Sequence, residues 1–149
     1  MAKGKNLVYC GRADGGEHKP IKVEGIALAA TTPALLVVQG ASGLSVSSAA
    51  ATVFGERFLV ADKDEARTRS MTDQWAINES MVAIAPKSGD FLNVLVAAGN
   101  NITSRGVALT RNGSGLLAIA ATDGSEEILC YSDEIINALA NTLVRVYVA

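Results

Sequence analysis

Met81-Val-Ala-Ile-Ala85, Lys87-Ser-Gly-Asp90, Phe91-Leu-Asn-Val-Leu-Val-Ala-Ala98, Gly99-Asn-Asn, Val107-Ala-Leu-Thr110, Asn112-Gly-Ser-Gly115 and Leu116-Leu-Ala-Ile-Ala120 follow one another within residues 80–121. Short apolar runs separated by Gly, Asn, Asp and Ser are the pattern of β-strands joined by turns, and they predict an antiparallel meander. Asn112-Gly113 suits a tight turn with positive φ and is the strongest hairpin signal in the chain. The tail from Ile128 to Ala149 folds back on this stretch. Within it, Leu143-Val-Arg-Val-Tyr-Val148 alternates, with Val144, Val146 and Val148 on one face and Leu143, Arg145 and Tyr147 on the other.

Upstream, Ile21-Lys-Val-Glu-Gly-Ile26 alternates as a half-buried strand should, and Leu35-Leu-Val-Val38 and Arg57-Phe-Leu-Val-Ala61 read as further strands. Residues 41–52 are almost wholly Ala, Ser, Gly and Thr, a composition that packs backbones closely or stays mobile. Asp62-Lys-Asp-Glu-Ala-Arg-Thr-Arg69 is the densest charge cluster. It lacks an apolar face of helical period and reads as a solvated excursion, with a one-turn capping box at Asp62 and Glu65 as the other reading. Ser132-Asp-Glu-Ile-Ile-Asn-Ala-Leu-Ala140 is the best helix candidate: Ser132 can cap, Asp133 and Glu134 suit the positive end, and Ile135, Ile136 and Leu139 share a face. The expected class is all-β, an antiparallel β-barrel or jelly-roll-like sandwich with at most one short helix.

At 149 residues the chain is one domain, long enough to bury a core without metals or staples. Aromatics are only 5%, so that core must be built from Val, Ala and Leu, and association would supplement it. The overall charge of −2 gives no push toward nucleic acid or acidic membranes. The charge is uneven: residues 1–22 hold five basic and two acidic residues, net +3, and the remainder is net −5. The organisation expected is a basic, partly extended arm over 1–22 and a single β-domain over 23–149. No apolar signal segment opens the chain and no run reaches membrane-spanning length, which implies a soluble protein made in a reducing compartment. Cys10 and Cys130 are far apart and in no metal-like spacing, and whether they pair is left open.

No catalytic set stands out. His18, the one histidine, lies in a Gly-rich loop without a second ligand nearby, and reads as a surface side chain. Asp62, Asp64 and Glu65 lack the offsets of a calcium loop, and Gly113 and Gly115 are explained by turn chemistry better than by phosphate binding. The expectation is a non-enzyme with no cofactor and no metal. Trp75 fits either the core or an interface hot spot.

From Arg57 to the end come, in order, Phe58-Leu-Val-Ala61, Trp75-Ala-Ile-Asn-Glu79, Gly89-Asp90, Ala97-Ala-Gly-Asn-Asn-Ile-Thr103, Gly106-Val-Ala-Leu109, Asn112-Gly-Ser-Gly115 and Leu143-Val-Arg-Val146. In these motifs and their order the chain resembles the capsid decoration (cement) proteins of tailed bacteriophages. The helix-like Ser132–Ala140 departs from the pattern. The resemblance implies a structural virion protein on the outer capsid surface, made in the bacterial cytoplasm. It would act as a homo-oligomer, dimer or trimer, that bridges neighbouring major capsid subunits against the pressure of packaged DNA. Lys3, Lys5 and Arg12 of the arm, and Arg67, Arg69 and Trp75 of the excursion, are then the expected contacts. Two other classes stay open: a small trimeric β-barrel enzyme drawing on Asp90 or Asp123 at subunit interfaces, and a tail or fibre β-module.

Overall fold

The computed structural model describes residues 5–12 and 20–149. In chain order the strands are β1 (Tyr9–Arg12), β2 (Ile21–Ile26), β3 (Leu36–Gln39), β4 (Leu44–Val46), β5 (Leu59–Ala61) and β6 (Ser80–Ala85). They continue as β7 (Asp90–Val96), β8 (Asn101–Ile102), β9 (Ala108–Arg111), β10 (Leu117–Ile119), β11 (Cys130–Ser132), β12 (Ile136–Asn137) and β13 (Thr142–Val148). The described residues contain no helix, and the fold is all-β as the sequence implied.

Five strands close into a barrel in the cyclic order β7, β10, β9, β11, β13 and back to β7. The long seam is β7 with β13, antiparallel from Thr142↔Val96 to Tyr147↔Phe91. The closing step is parallel and short: β10 meets β7 only at Leu117↔Val96, backed by Ala97 N–H donating to Leu117 O at 2.8 Å. β1 takes the rest of that edge of β7. Alternation decides what fills the barrel. Val144, Val146 and Val148 point inward with Leu92, Val94 and Val96, as the period of the last run predicted.

The second sheet, in the order β2-β6-β5-β3-β4, is antiparallel throughout and curls until its ends touch. Ala27 bridges Leu44, and Leu28 N–H donates to Leu44 O at 2.9 Å. Both strands carry glycine at this closure. A Cβ on Gly43 (φ +151°) would stand 2.2 Å from Ile26 O, and one on Gly25 would stand 3.0 Å from Leu44 Cγ. Only a residue without a side chain lets the backbones approach so closely.

This sheet is a wall between two cores. Leu36, Val60 and Ile84 face the barrel, while Val37, Leu59, Ala61 and Ala83 face a smaller core with Met81, Leu44 and Trp75. With so few aromatics available, the barrel core is Val, Leu and Ile, each burial worth about 1.5–3 kcal/mol. Trp75 supplies the bulk of the smaller core, 3% exposed, with its indole N–H donating to Asp62 O at 2.7 Å. Of the two readings open for Trp75, the core is the one observed.

Three local expectations are corrected. The meander breaks at Lys87–Asp90, because β6 belongs to the second sheet and β7 to the barrel; the turn carries the chain between sheets. Asp90, 1% exposed, accepts from Lys87 N–H at 2.8 Å and Gly89 takes φ +87°, so the turn chemistry holds although the pairing differs. The Asp62–Arg69 excursion is not solvated throughout, since Asp62 and Asp64 are 4% and 5% exposed beneath their cationic partners.

Ser132–Ala140 forms no helix. Ser132 is a strand residue paired with Val146, and its hydroxyl accepts from Val107 N–H and donates to Ser104 O, both at 3.1 Å. Asp133 and Glu134 turn to Arg145 and Lys5 instead of to helix N–H groups. A helix of about two turns has little stability of its own, and these long-range bonds outweigh it. The Asn112–Gly113 hairpin is present between β9 and β10, with a longer turn than a two-residue one. Gly113 and Gly115 have φ +87° and +75°, and the Asn112 carboxamide accepts from Ser114 and Leu116 N–H.

Candidate interaction surface

The described part of the expected basic arm lies on the two sheets. β1 pairs with β7, and β2, already begun at Ile21, pairs with β6. Lys5 reaches across the chain to form an ion pair with Glu134 and donates to Leu143 O at 2.7 Å. Arg12 ends β1 opposite Asp90. Lys3 and His18 lie outside the described residues. Cys10 is exposed and Cys130 is buried in the barrel, and both are free. Burial raises both thiol pKa values above their ordinary level.

Arg67 and Arg69 converge on Glu79. Arg67 Nη1 donates to Glu79 Oε1 at 2.7 Å, and Arg69 grips both oxygens, at 3.0 and 3.2 Å. Ala76 N–H adds a fourth donor at 2.8 Å. The Arg69 fork is the largest cause, and with the Ala76 and Arg67 bonds it draws the Glu79 carboxyl down to about 2. Both arginines also lie within ion-pair range of Asp64. This knot holds residues 62–79 together above Trp75. Nearby, burial pushes the Asp62 carboxyl up, against the pull of Lys22 Nζ at 3.2 Å.

Asp90 and Asp123, the candidates of the enzymatic reading, are turn acceptors in separate loops: Asp90 takes Lys87 N–H, and Asp123 takes Ser125 N–H and hydroxyl. Among the described residues no three of His, Cys, Asp and Glu cluster as a metal site. Among the described residues no helix is long and apolar enough to cross a membrane.

One concavity lies where sequence reasoning placed a helix. Between β12 and the start of β13 is a groove of about 1000 Å³ whose lining includes Lys5, Arg105, Ile135, Ile136, Leu143 and Arg145. Ile136 is half-buried opposite Ile102, but Ile135 is 67% exposed and Leu139, just beyond, is 86% exposed. Arg145 Nε binds Asp133 at 2.7 Å, and Arg145 N–H donates to Glu134 at 2.8 Å. Burial disfavours ionised Glu134, yet the Lys5 and Arg145 hydrogen bonds outweigh it and lower its pKa. The apolar signal of Ile135 and Leu139 was present in the sequence and belonged to this rim. Arg105 gave no signal, being one cation in a polar turn.

Ile26, Leu28 and Ile77, and Val53 and Phe54 of a separate loop, are also exposed apolar side chains. No protein family matches the chain by sequence, and no curated protein does. Among solved structures, the fold is similar to the N base of the head fibre gp8.5 of bacteriophage phi29. The TM-score is 0.55 at 16% identity, with 88% of this chain and 95% of that chain covered. The shared property is the fold, and it extends over nearly the whole of both chains.

Proposed function

We propose that this chain is a structural protein of a phage virion, with no catalytic activity, that attaches as a homo-oligomer to the outside of the capsid and cements neighbouring major capsid subunits. The observation that carries the reading is the breadth of the fold likeness, 95% of a phage head-fibre base, rather than any one motif. The exposed Ile135, Leu139, Ile77 and Phe54 support it, because apolar side chains displayed on separate loops suit a protein held by neighbours on several sides.

Purified protein added to expanded shells that lack it should co-sediment at a fixed stoichiometry and raise the temperature at which the shells break open. Shells that remain bare at saturating protein would end the proposal. The same fold likeness favours one second reading, that of a fibre base which anchors a projection without bracing the shell. Stoichiometric attachment with no change in the disruption temperature would select it.

A further inference from the structure

β2 and β5 flank β6, and side chains from the two meet across it. Lys22 and Val60 both lie opposite Ile84, and Asp62, two residues beyond Val60, shares its face. Along that face the Lys22 side chain reaches over β6 to Asp62. Its Nζ stands 3.2 Å from Asp62 Oδ2, one bond short of the carboxyl carbon. A third group stands at the same ammonium, Glu65 Oε2 at 3.8 Å. The three line one hollow of about 570 Å³, whose other walls include Leu7, Val8 and Pro20.

Asp62 is held firmly in front of the amine. Its backbone N–H donates to Val82 O at 3.0 Å, and its backbone O accepts from the Trp75 indole N–H at 2.7 Å. Its Oδ1 accepts from Lys63 N–H at 2.9 Å, which leaves Oδ2 to Lys22. The residue is 4% exposed, and burial together with the Glu65 charge favours its neutral acid against the pull of Lys22. An acid held beside an amine, with a carboxylate to carry protons, is the set that condensation to an amide needs.

We propose that Lys22 and Asp62 join in an intramolecular isopeptide bond, with Glu65 as the proton carrier. A proton passes from the Lys22 ammonium to Asp62, and the freed amine attacks Cγ. The Lys63 N–H steadies the oxygen on which negative charge collects. Glu65 takes a proton from the nitrogen and returns it to the departing hydroxyl, which leaves as water. One C–N bond forms, one C–O bond breaks, and nothing is oxidised or reduced. The product ties β2 to the end of β5 over β6 and closes residues 22–62 into a covalent loop. The bond forms within one chain and does not depend on the proposed function.

The test is the mass of the full-length chain under denaturing conditions, for wild type, Lys22→Arg, Asp62→Ala and Glu65→Gln, with a peptide map of each. Wild type should weigh one water less than an unlinked chain, and trypsin should release a branched peptide joining the segments around Lys22 and Asp62. Lys22→Arg and Asp62→Ala should keep their full mass and melt at a lower temperature than wild type. Glu65→Gln should form the bond on the order of a hundredfold more slowly, followed from the time of synthesis. Wild type at full mass, however long it is kept, overturns the proposal and leaves an ion pair. A water lost equally from Lys22→Arg overturns it too, since that marks a cyclic imide at an aspartate. Bond formation by Glu65→Gln at the wild-type rate overturns the assignment of Glu65 as proton carrier.

Discussion

At the scale of single residues, most of the charge cluster at 62–79 is committed to holding its own loop. Glu79 is ionised well below the ordinary carboxylate range, so its bonds to Arg69, Ala76 and Arg67 stabilise the fold at any pH above about 4.5 and are lost as pH falls toward about 2. Asp62 has the opposite sign, because its raised pKa makes the protonated form the one the fold prefers. Comparison of wild type with Glu79→Gln should therefore show lower stability for the variant at neutral pH. The two curves should converge as the acid limb is descended, measured by thermal melts between pH 7 and pH 2. A constant difference across that range would assign the knot a merely steric role. The residue types of this knot were visible in the sequence. Their pairing was not, since Arg67 and Arg69 reach Glu79 over a turn that no periodicity announces.

At the scale of elements, strands were legible wherever alternation met a closed face. Val144 and Val146 are the clearest case, buried in register with Val94 and Leu92, and Val148 is buried opposite Cys130. Ser132–Ala140 was misread because its helical spacing of Ile135, Ile136 and Leu139 is local, whereas the bonds of Ser132, Asp133 and Glu134 to residues 104, 107, 145 and 5 are not. The small-residue stretch around 41–52 gave no element signal, and a buried arginine is among the groups that hold the loop that follows it. Arg111, 3% exposed, pairs with Glu127, and its Nη2 donates to Glu56 O at 2.6 Å. Arg111→Ala leaves both acceptors short of a buried charged donor. It should cost about 2–3 kcal/mol in denaturant unfolding and speed proteolysis near Phe54. Cleavage there at the wild-type rate would show that the loop is held by something else.

At the scale of the whole molecule, the two cores share the wall formed by Leu36, Val60 and Ile84, so neither melts alone without exposing the other. Ile84→Ala should lower stability by about 2–5 kcal/mol and move Trp75 fluorescence, which reports the smaller core, together with the far-ultraviolet signal of the whole. Separate transitions would mean that the wall belongs to one core only. The sequence by itself determined the class of the fold, because period-two burial and turn glycines are local properties written residue by residue. Only the tertiary structure decided that β6 and β7 part into different sheets, that a parallel contact closes the barrel and that residues 133–137 frame a groove. Each depends on partners tens of residues away, and a chain carries no local mark of which distant edge or ion pair will outweigh its nearest turn.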